Sequence, residues 1–180
     1  MATALIALGS NLGDRAANLA RAIALLDQHR EVKVVARSRW QETAPIGGPS
    51  GQDIFLNAAV RAETSLAAAG LYAQLRLIET RLGRQRDERW SARTIDLDLL
   101  LFDDLVICTD QLSVPHPRMA FRRFVLESAV EVGGEMRHPQ IGWTVRRLLE
   151  HLDQAVDYIA LTGPAKVGKT RLALAAAQGG

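Results

Sequence analysis

Cysteine is almost missing from this sequence. The single Cys108 among 180 residues excludes an internal disulfide, and with it the stapled scaffolds of small secreted domains. A reducing compartment follows, and a cytoplasmic location is the expectation. Aromatics make up only 5% of the chain, and neither sign of charge dominates, the net charge being +2. No polybasic run occurs, so charge gives no ground for a nucleic-acid partner. No apolar stretch approaches the roughly 20 residues that a membrane-spanning helix needs, so no membrane partner is expected. The first apolar run, 2–8, has no charged segment before it and ends in Gly9-Ser10-Asn11. It reads as a buried strand, not as a signal peptide. Repeats and low-complexity segments are also lacking. What is present is ordinary for a globular protein: 48% apolar and 23% charged residues, enough for one good core.

The order of elements follows from periodicity. After the strand at 2–8 comes a turn at 9–14. A helix then carries Leu19, Ala22, Ile23 and Leu26 on one face. Valine-rich alternation predicts a second strand over 31–40. Residues 43–53 hold two prolines and three glycines without periodicity and read as a long loop. A third strand covers 54–62. Leu71, Leu75, Ile78 and Leu82 mark a second helix that stops at Gly83. A cation-dense loop fills 84–93, and a fourth strand runs over 94–102. A turn at Asp103-Asp104, a short strand near Val106, a loop at 114–118, and helices at about 121–132 and 144–153 complete the pattern. Strand–helix–strand–strand–helix–strand is the ferredoxin-like order. It predicts an α+β fold, an antiparallel sheet with helices on one side.

The segment Thr94-Ile95-Asp96-Leu97-Asp98-Leu99-Leu100-Leu101 carries the most chemistry. Side chains on a strand alternate between faces, so Asp96 and Asp98 point the same way, about 7 Å apart along the strand. Ile95, Leu97, Leu99 and Leu101 then point into a core. Two carboxylates on one face raise each other's pKa unless a cation lies between them, and magnesium favours carboxylate and phosphate oxygens. Taken alone, the pair also suits a solvated strand face. The loop that runs into it, with Arg84, Arg86, Arg89 and Arg93, changes the balance. Metal and arginines together are what phosphoryl transfer needs, because charge builds up on phosphate oxygens in the transition state.

Several separated stretches, in order, resemble the hydroxymethyl-dihydropterin pyrophosphokinase family of folate biosynthesis. They are Ala7-Leu8-Gly9-Ser10-Asn11-Leu12-Gly13-Asp14; Thr43-Ala44-Pro45-Ile46-Gly47 followed by Phe55-Leu56-Asn57; and Ile78-Glu79 with Gly83-Arg84. Further on come Arg89-Trp90-Ser91-Ala92-Arg93-Thr94-Ile95-Asp96-Leu97-Asp98, then Val114-Pro115-His116-Pro117-Arg118 with Arg122-Arg123-Phe124. The likeness runs from about residue 4 to residue 152. It departs at Ser91, where the family commonly has glycine. The resemblance implies ATP as co-substrate and transfer of its pyrophosphoryl group to 6-hydroxymethyl-7,8-dihydropterin, with AMP as the other product. It implies that Asp96 and Asp98 hold two Mg2+ ions, and that Arg84 and Arg93 neutralise the phosphates. Asp98 is also implied to act on the substrate alcohol. Arg86, Arg89, Trp90, Leu99, Ser113, His116 and Arg122 would lie along the nucleotide, with Glu79 either there or as a partner for an arginine. Phe55 and Phe124 would sandwich the pterin, Asn57 would hydrogen-bond its edge, and Thr43, Pro45 and Ile46 would border it.

The tail is of another kind. Gly163-Pro164-Ala165-Lys166-Val167-Gly168-Lys169-Thr170 fits G-x-x-x-x-G-K-T, between a strand-like 157–162 and a helix-favouring 170–177. It reads as the start of a second, P-loop kinase domain cut short, so the expected division is 1–155 and 156–180. Two rival readings remain at this stage. One is a P-loop nucleotide-binding protein with a regulatory N-terminal domain, which loss of 156–180 would inactivate. The other is a non-catalytic ferredoxin-like module binding RNA, which would need exposed aromatics on its central strands.

Overall fold

The computed structural model describes residues 1–45, 53–84 and 93–154. Ile46, Arg86, Arg89, Trp90, Ser91 and the Walker-like tail lie outside the described residues.

β1 (Ala2–Ser10) is the central strand, with β4 (Phe55–Thr64) on one side and β5 (Asp96–Phe102) on the other, both antiparallel to it. The outer place beside β4 is shared by β2 (Val32–Arg37) and β3 (Gln41–Thr43). The valine-rich stretch expected as one strand is therefore two. Arg37 pairs with Val60 and Gln41 with Asn57, so three residues face two on β4, the count of a bulge. Ser38 holds the break: its N–H donates to the Ala59 carbonyl and its hydroxyl accepts from Ala59 N–H, both at 2.9 Å.

α1 (Arg15–Asp27) and α2 (Ala68–Arg81) cover one sheet face. Leu19, Ala22, Ile23 and Leu26 from α1, with Leu71, Leu75 and Ile78 from α2, pack on Ala4, Ile6, Val60, Leu97 and Leu99. The Asp14 carboxylate caps α1, accepting from Ala17 N–H at 2.9 Å. Gly83, at φ +80°, ends α2: Gly83 N–H donates to Thr80 O and Arg84 N–H to Glu79 O. This is the paired closure that a left-handed residue permits, and it turns Arg84 back over the helix end.

The other face is covered too, which corrects the expectation of helices on one side only. α3 (Arg123–Gly133) and α4 (Val145–Gln154) pack Val125, Leu126, Ala129, Val132, Val145 and Leu148 against Leu5, Ala59, Leu100 and Leu101. Leu101 was expected beside Leu97 and Leu99, but it lies in this second core next to Leu100. The register between β1 and β5 shifts at Leu5/Ile6, Leu5 facing Leu101 and Ile6 facing Leu99. Leu100 is the extra residue, and the alternation inverts after it. Among the described residues, β6 (Ile107–Cys108) and β7 (Ser113–Val114) form a small separate hairpin. Among the same residues, no helix is long and apolar enough to cross a membrane.

Candidate active site

The sheet face under α3 ends in a floor whose middle strand, β1, carries almost no side chain. The pairing sets Asn57, Gly9 and Asp96 side by side across three strands, and Ala59, Ala7 and Asp98 in the next row. All six point toward the α3 side, by the alternation that puts Leu5 and Ala59 in the second core. Polar groups on the outer strands thus face each other over glycine and alanine. A Cβ on Gly9 would come within 3.0 Å of Asn57 Oδ1, so the bare backbone is what leaves room for that amide. Above this floor lies a cavity of about 660 Å³, well within the size range of small-molecule sites.

On the β4 side, Asn57 is buried, and its Nδ2 donates to Thr43 Oγ1 at 2.7 Å. Thr43, Pro45, Phe55 and Phe124 line the cavity with it. Phe55 follows from β4 alternation, and Phe124 stands in the first turn of α3. This half offers two aromatic rings and one oriented amide.

On the β5 side the charges collect. Arg84 Nη1 lies 2.6 Å from Asp96 Oδ1, and Arg93 Nη1 lies 2.5 Å from Asp96 Oδ2. Glu79 sits beneath them, 1% exposed. Its Oε1 accepts from Leu97 N–H at 2.7 Å and from Arg84, and its Oε2 meets Arg76 Nη1 at 2.7 Å. Glu79 thus ties the end of α2 to the backbone between the two aspartates. Asp98 is held more loosely, 3.7 Å from His116 Nε2 and 3.9 Å from Arg122 Nη1. Burial, reinforced by the Asp96 charge, pushes the Asp98 carboxyl above the usual aspartate range, against the pull of His116 and Arg122. Burial pushes the His116 imidazole down, although Asp98 opposes it. His116 is aimed by its own loop: its backbone N–H donates to Leu100 O at 2.9 Å, and its Nδ1 accepts from Arg118 N–H at 3.2 Å. That leaves Nε2 facing Asp98. The Arg122 guanidinium also lies over the Phe124 ring, 5.9 Å from its centre, and so bridges the two halves of the site.

Burial pushes the Glu79 carboxyl from its ordinary 4.5 up to about 7, the Leu97 N–H and Arg84 offsetting only part of the shift. The native state therefore keeps a proton that the unfolded chain has already released. Stability contributed by this group falls as pH rises from about 4.5 to about 7, by a total of about 3 kcal/mol. Thermal unfolding followed across that window checks this. The fall with pH is expected to be shallower in Glu79→Gln than in the wild type.

The donor set fits magnesium. It is made of carboxylate oxygens on one rigid strand, and magnesium is usually held by one or two carboxylates together with phosphates and water. Among the described residues, no group of three or more His, Cys, Asp or Glu side chains could hold a metal.

The cavity lining brings together Thr43, Pro45, Phe55, Asn57, Arg84, Arg93, Asp96, Asp98, His116, Arg122 and Phe124 of the residues expected from the sequence. Three others are placed elsewhere. Glu79 is buried behind the arginines, Leu99 is 2% exposed in the first core, and Ser113 is on β7 outside the lining. Ile46, Arg86, Arg89 and Trp90 are outside the described residues. Sequence reasoning missed Ala7 and Gly9 in the floor, Arg76, Arg118 and Phe121 in the lining, and the role of Asn11 beside Arg93. A glycine within an apolar strand is a signal of close approach and would have found Gly9. Phe121, 77% exposed at the mouth, carries no such signal.

Residues 5–134 match the family described as 7,8-dihydro-6-hydroxymethylpterin-pyrophosphokinase (HPPK). The 2-amino-4-hydroxy-6-hydroxymethyldihydropteridine pyrophosphokinase of Bacillus subtilis (strain 168) is 50% identical over 129 residues, which is 72% of this chain and 77% of that protein. The protein of the same name from Methylorubrum extorquens is 40% identical over 153 residues, 85% of this chain and 95% of its own length. A wild-type Plasmodium falciparum HPPK-DHPS crystal structure with pteroate superposes with a TM-score of 0.66 at 16% identity, over 84% of this chain and 42% of that one, and is similar in fold. With the family match spanning most of the chain and two relatives 40–50% identical, this protein belongs to the 7,8-dihydro-6-hydroxymethylpterin-pyrophosphokinase family.

Proposed function

We propose that this chain transfers the β,γ-pyrophosphoryl group of ATP to the hydroxymethyl oxygen of 6-hydroxymethyl-7,8-dihydropterin. The alcohol oxygen bonds to the β-phosphorus, the bond from that phosphorus to the oxygen shared with the α-phosphate breaks, and AMP leaves while the alcohol gives up its proton. The observation that carries the reading is the row Asn57–Gly9–Asp96, which sets an amide and two aromatic rings beside a carboxylate pair within one cavity. A flat ring with a donor–acceptor edge fits between Phe55 and Phe124 with that edge toward Asn57. Its hydroxymethyl arm then reaches across the bare Gly9 and Ala7 toward Asp96 and Asp98.

Magnesium held by Asp96 and Asp98, two ions being the expected number, would supply positive charge to the triphosphate oxygens. Arg84 and Arg93 both pair with Asp96, and their planar forks would suit those oxygens. His116 and Arg122 border Asp98 and serve the nucleotide. Asp98 would orient the alcohol. Residues 1–155 constitute the catalytic unit, and the Walker-like pattern Gly163 to Thr170 within 156–180 would belong to a P-loop kinase segment.

The test is nucleotide release by the purified chain with ATP and magnesium, with and without the pterin. AMP that depends on the pterin is expected. ADP, or AMP released equally without pterin, would overturn the reading.

A further inference from the structure

Arg84 and Arg93 meet on one carboxylate, but they are rooted differently. Arg84 is gripped along its side chain by Glu79. Arg93 is held at its backbone, by a residue from the far end of the sequence. Its N–H donates to Asn11 Oδ1 at 2.7 Å, and its carbonyl accepts from Asn11 N–H at 3.1 Å. The β1–β5 ladder ends at Gly9 and Asp96, so this clamp lies just beyond the last pair and continues the sheet by one link. Asn11 is 1% exposed and is not in the cavity lining. Its own turn is tied to α1, because Asn18 Nδ2 donates to Leu12 O at 3.0 Å and to Ser10 Oγ at 3.3 Å. A rigid path therefore leads from α1 through Asn11 to the root of Arg93.

We propose that Asn11 is a positioning residue for pyrophosphoryl transfer, acting through Arg93 by fixing the backbone from which its guanidinium reaches Asp96 and the phosphates. The proposal rests on the reading that Arg93 serves the phosphates. The chemistry asks for an acceptor oxygen at this point. A guanidinium on a long stem is only as well placed as its Cα, and Arg93 Cα precedes β5, where no ladder bond fixes it. The Asn11 side chain supplies that bond, and its backbone supplies the return bond, which any substitution retains. A change at Asn11 thus removes one half of the clamp, together with the longer bond by which Asn11 Nδ2 donates to Asp53 O at 3.5 Å, while Asn11 itself lies outside the cavity lining.

The test uses the full chain as wild type, Asn11→Ala, Asn11→Asp, Arg93→Ala and the Asn11→Ala/Arg93→Ala double variant, in the pterin-dependent AMP assay. A displaced catalytic group costs about 10- to 100-fold in rate, so Asn11→Ala is expected to lose that much kcat. The KM for the pterin should change by less than about threefold, since no residue lining the pterin half is altered and the bond lost to Asp53 O is a long one, 3.5 Å. Asn11→Asp, which keeps an oxygen in the Oδ1 place, should recover most of kcat. The double variant should be no slower than Arg93→Ala, because an anchor has nothing to place once the guanidinium is gone. If Asn11→Ala unfolds below the assay temperature, Asn11→Ser, whose hydroxyl is too short to reach the Arg93 N–H, takes its place in the same comparison. Wild-type kcat in the anchor variant, or losses that multiply in the double variant, would overturn the proposal while leaving the function intact. No AMP from the wild type would overturn both, and full speed in Arg93→Ala would overturn the role of Arg93 and with it the proposal, while leaving the function intact.

Discussion

Asp98→Ala is expected to lower pterin-dependent AMP release by about a thousandfold or more, because it removes a fixed charge at the point where transition-state charge develops. The strand should survive the change. Leu97 and Leu99 on either side are within the core, and among the described residues the ion pairs of the Asp98 carboxylate are long, 3.7 Å to His116 and 3.9 Å to Arg122. Its carboxyl is already destabilised by burial and by Asp96, so removing it relieves repulsion. The melting temperature should accordingly stay level or rise, the pattern of a residue kept for function at some cost to stability. Steady-state kinetics and thermal melts on the same preparation check both parts. Unchanged kcat would remove Asp98 from the chemistry. Joint collapse of kcat and melting temperature would make it a structural residue.

Arg84→Ala is expected to reduce the rate of the chemical step by about 100- to 1,000-fold while nucleotide affinity changes far less. Arg84 is 11% exposed and lies between Glu79 and Asp96, so it is not free to follow the nucleotide as a surface cation would. A group anchored in this way contributes most when charge shifts in the transition state. Stability should also drop, since Glu79 loses one of its partners. The drop should be limited to about 1–3 kcal/mol, because Arg76 and Leu97 N–H still satisfy that carboxylate. Single-turnover rates, a nucleotide binding titration and a denaturation curve separate the three effects. Equal losses in rate and affinity would assign Arg84 to simple nucleotide binding.

Much of this was legible in the sequence because strand alternation is a two-state signal. Once Asp96 and Asp98 were on a strand, they had to share a face. The apolar faces of α1 and α2 were equally plain, as was the stop at Gly83. Three things were not legible, each for a physical reason. Leu101 reads as a continuation of Leu97 and Leu99, and only the pairing with β1 reveals the extra residue that turns it over. The helices α3 and α4 are amphipathic in sequence, but an apolar stripe does not say which sheet face it will cover. They close the second face, and α3 brings Phe124 and Val125 into the wall of the site. Glu79 stands in α2 next to apolar neighbours, and nothing in its spacing distinguishes a surface carboxylate from one buried under two arginines. The individual ligand roles came from the family resemblance and not from periodicity, and the cavity collects the larger part of the described residues that the resemblance named.

The most direct test of the central claim follows phosphorus through the reaction. ATP labelled separately at the α-, β- and γ-phosphorus is incubated with the chain, magnesium and 6-hydroxymethyl-7,8-dihydropterin, and the products are separated. Transfer of an intact pyrophosphoryl group predicts that the β and γ labels both arrive on the pterin and the α label stays in AMP. The γ label alone on the pterin, with ADP as the other product, or no label on the pterin at all, would contradict it.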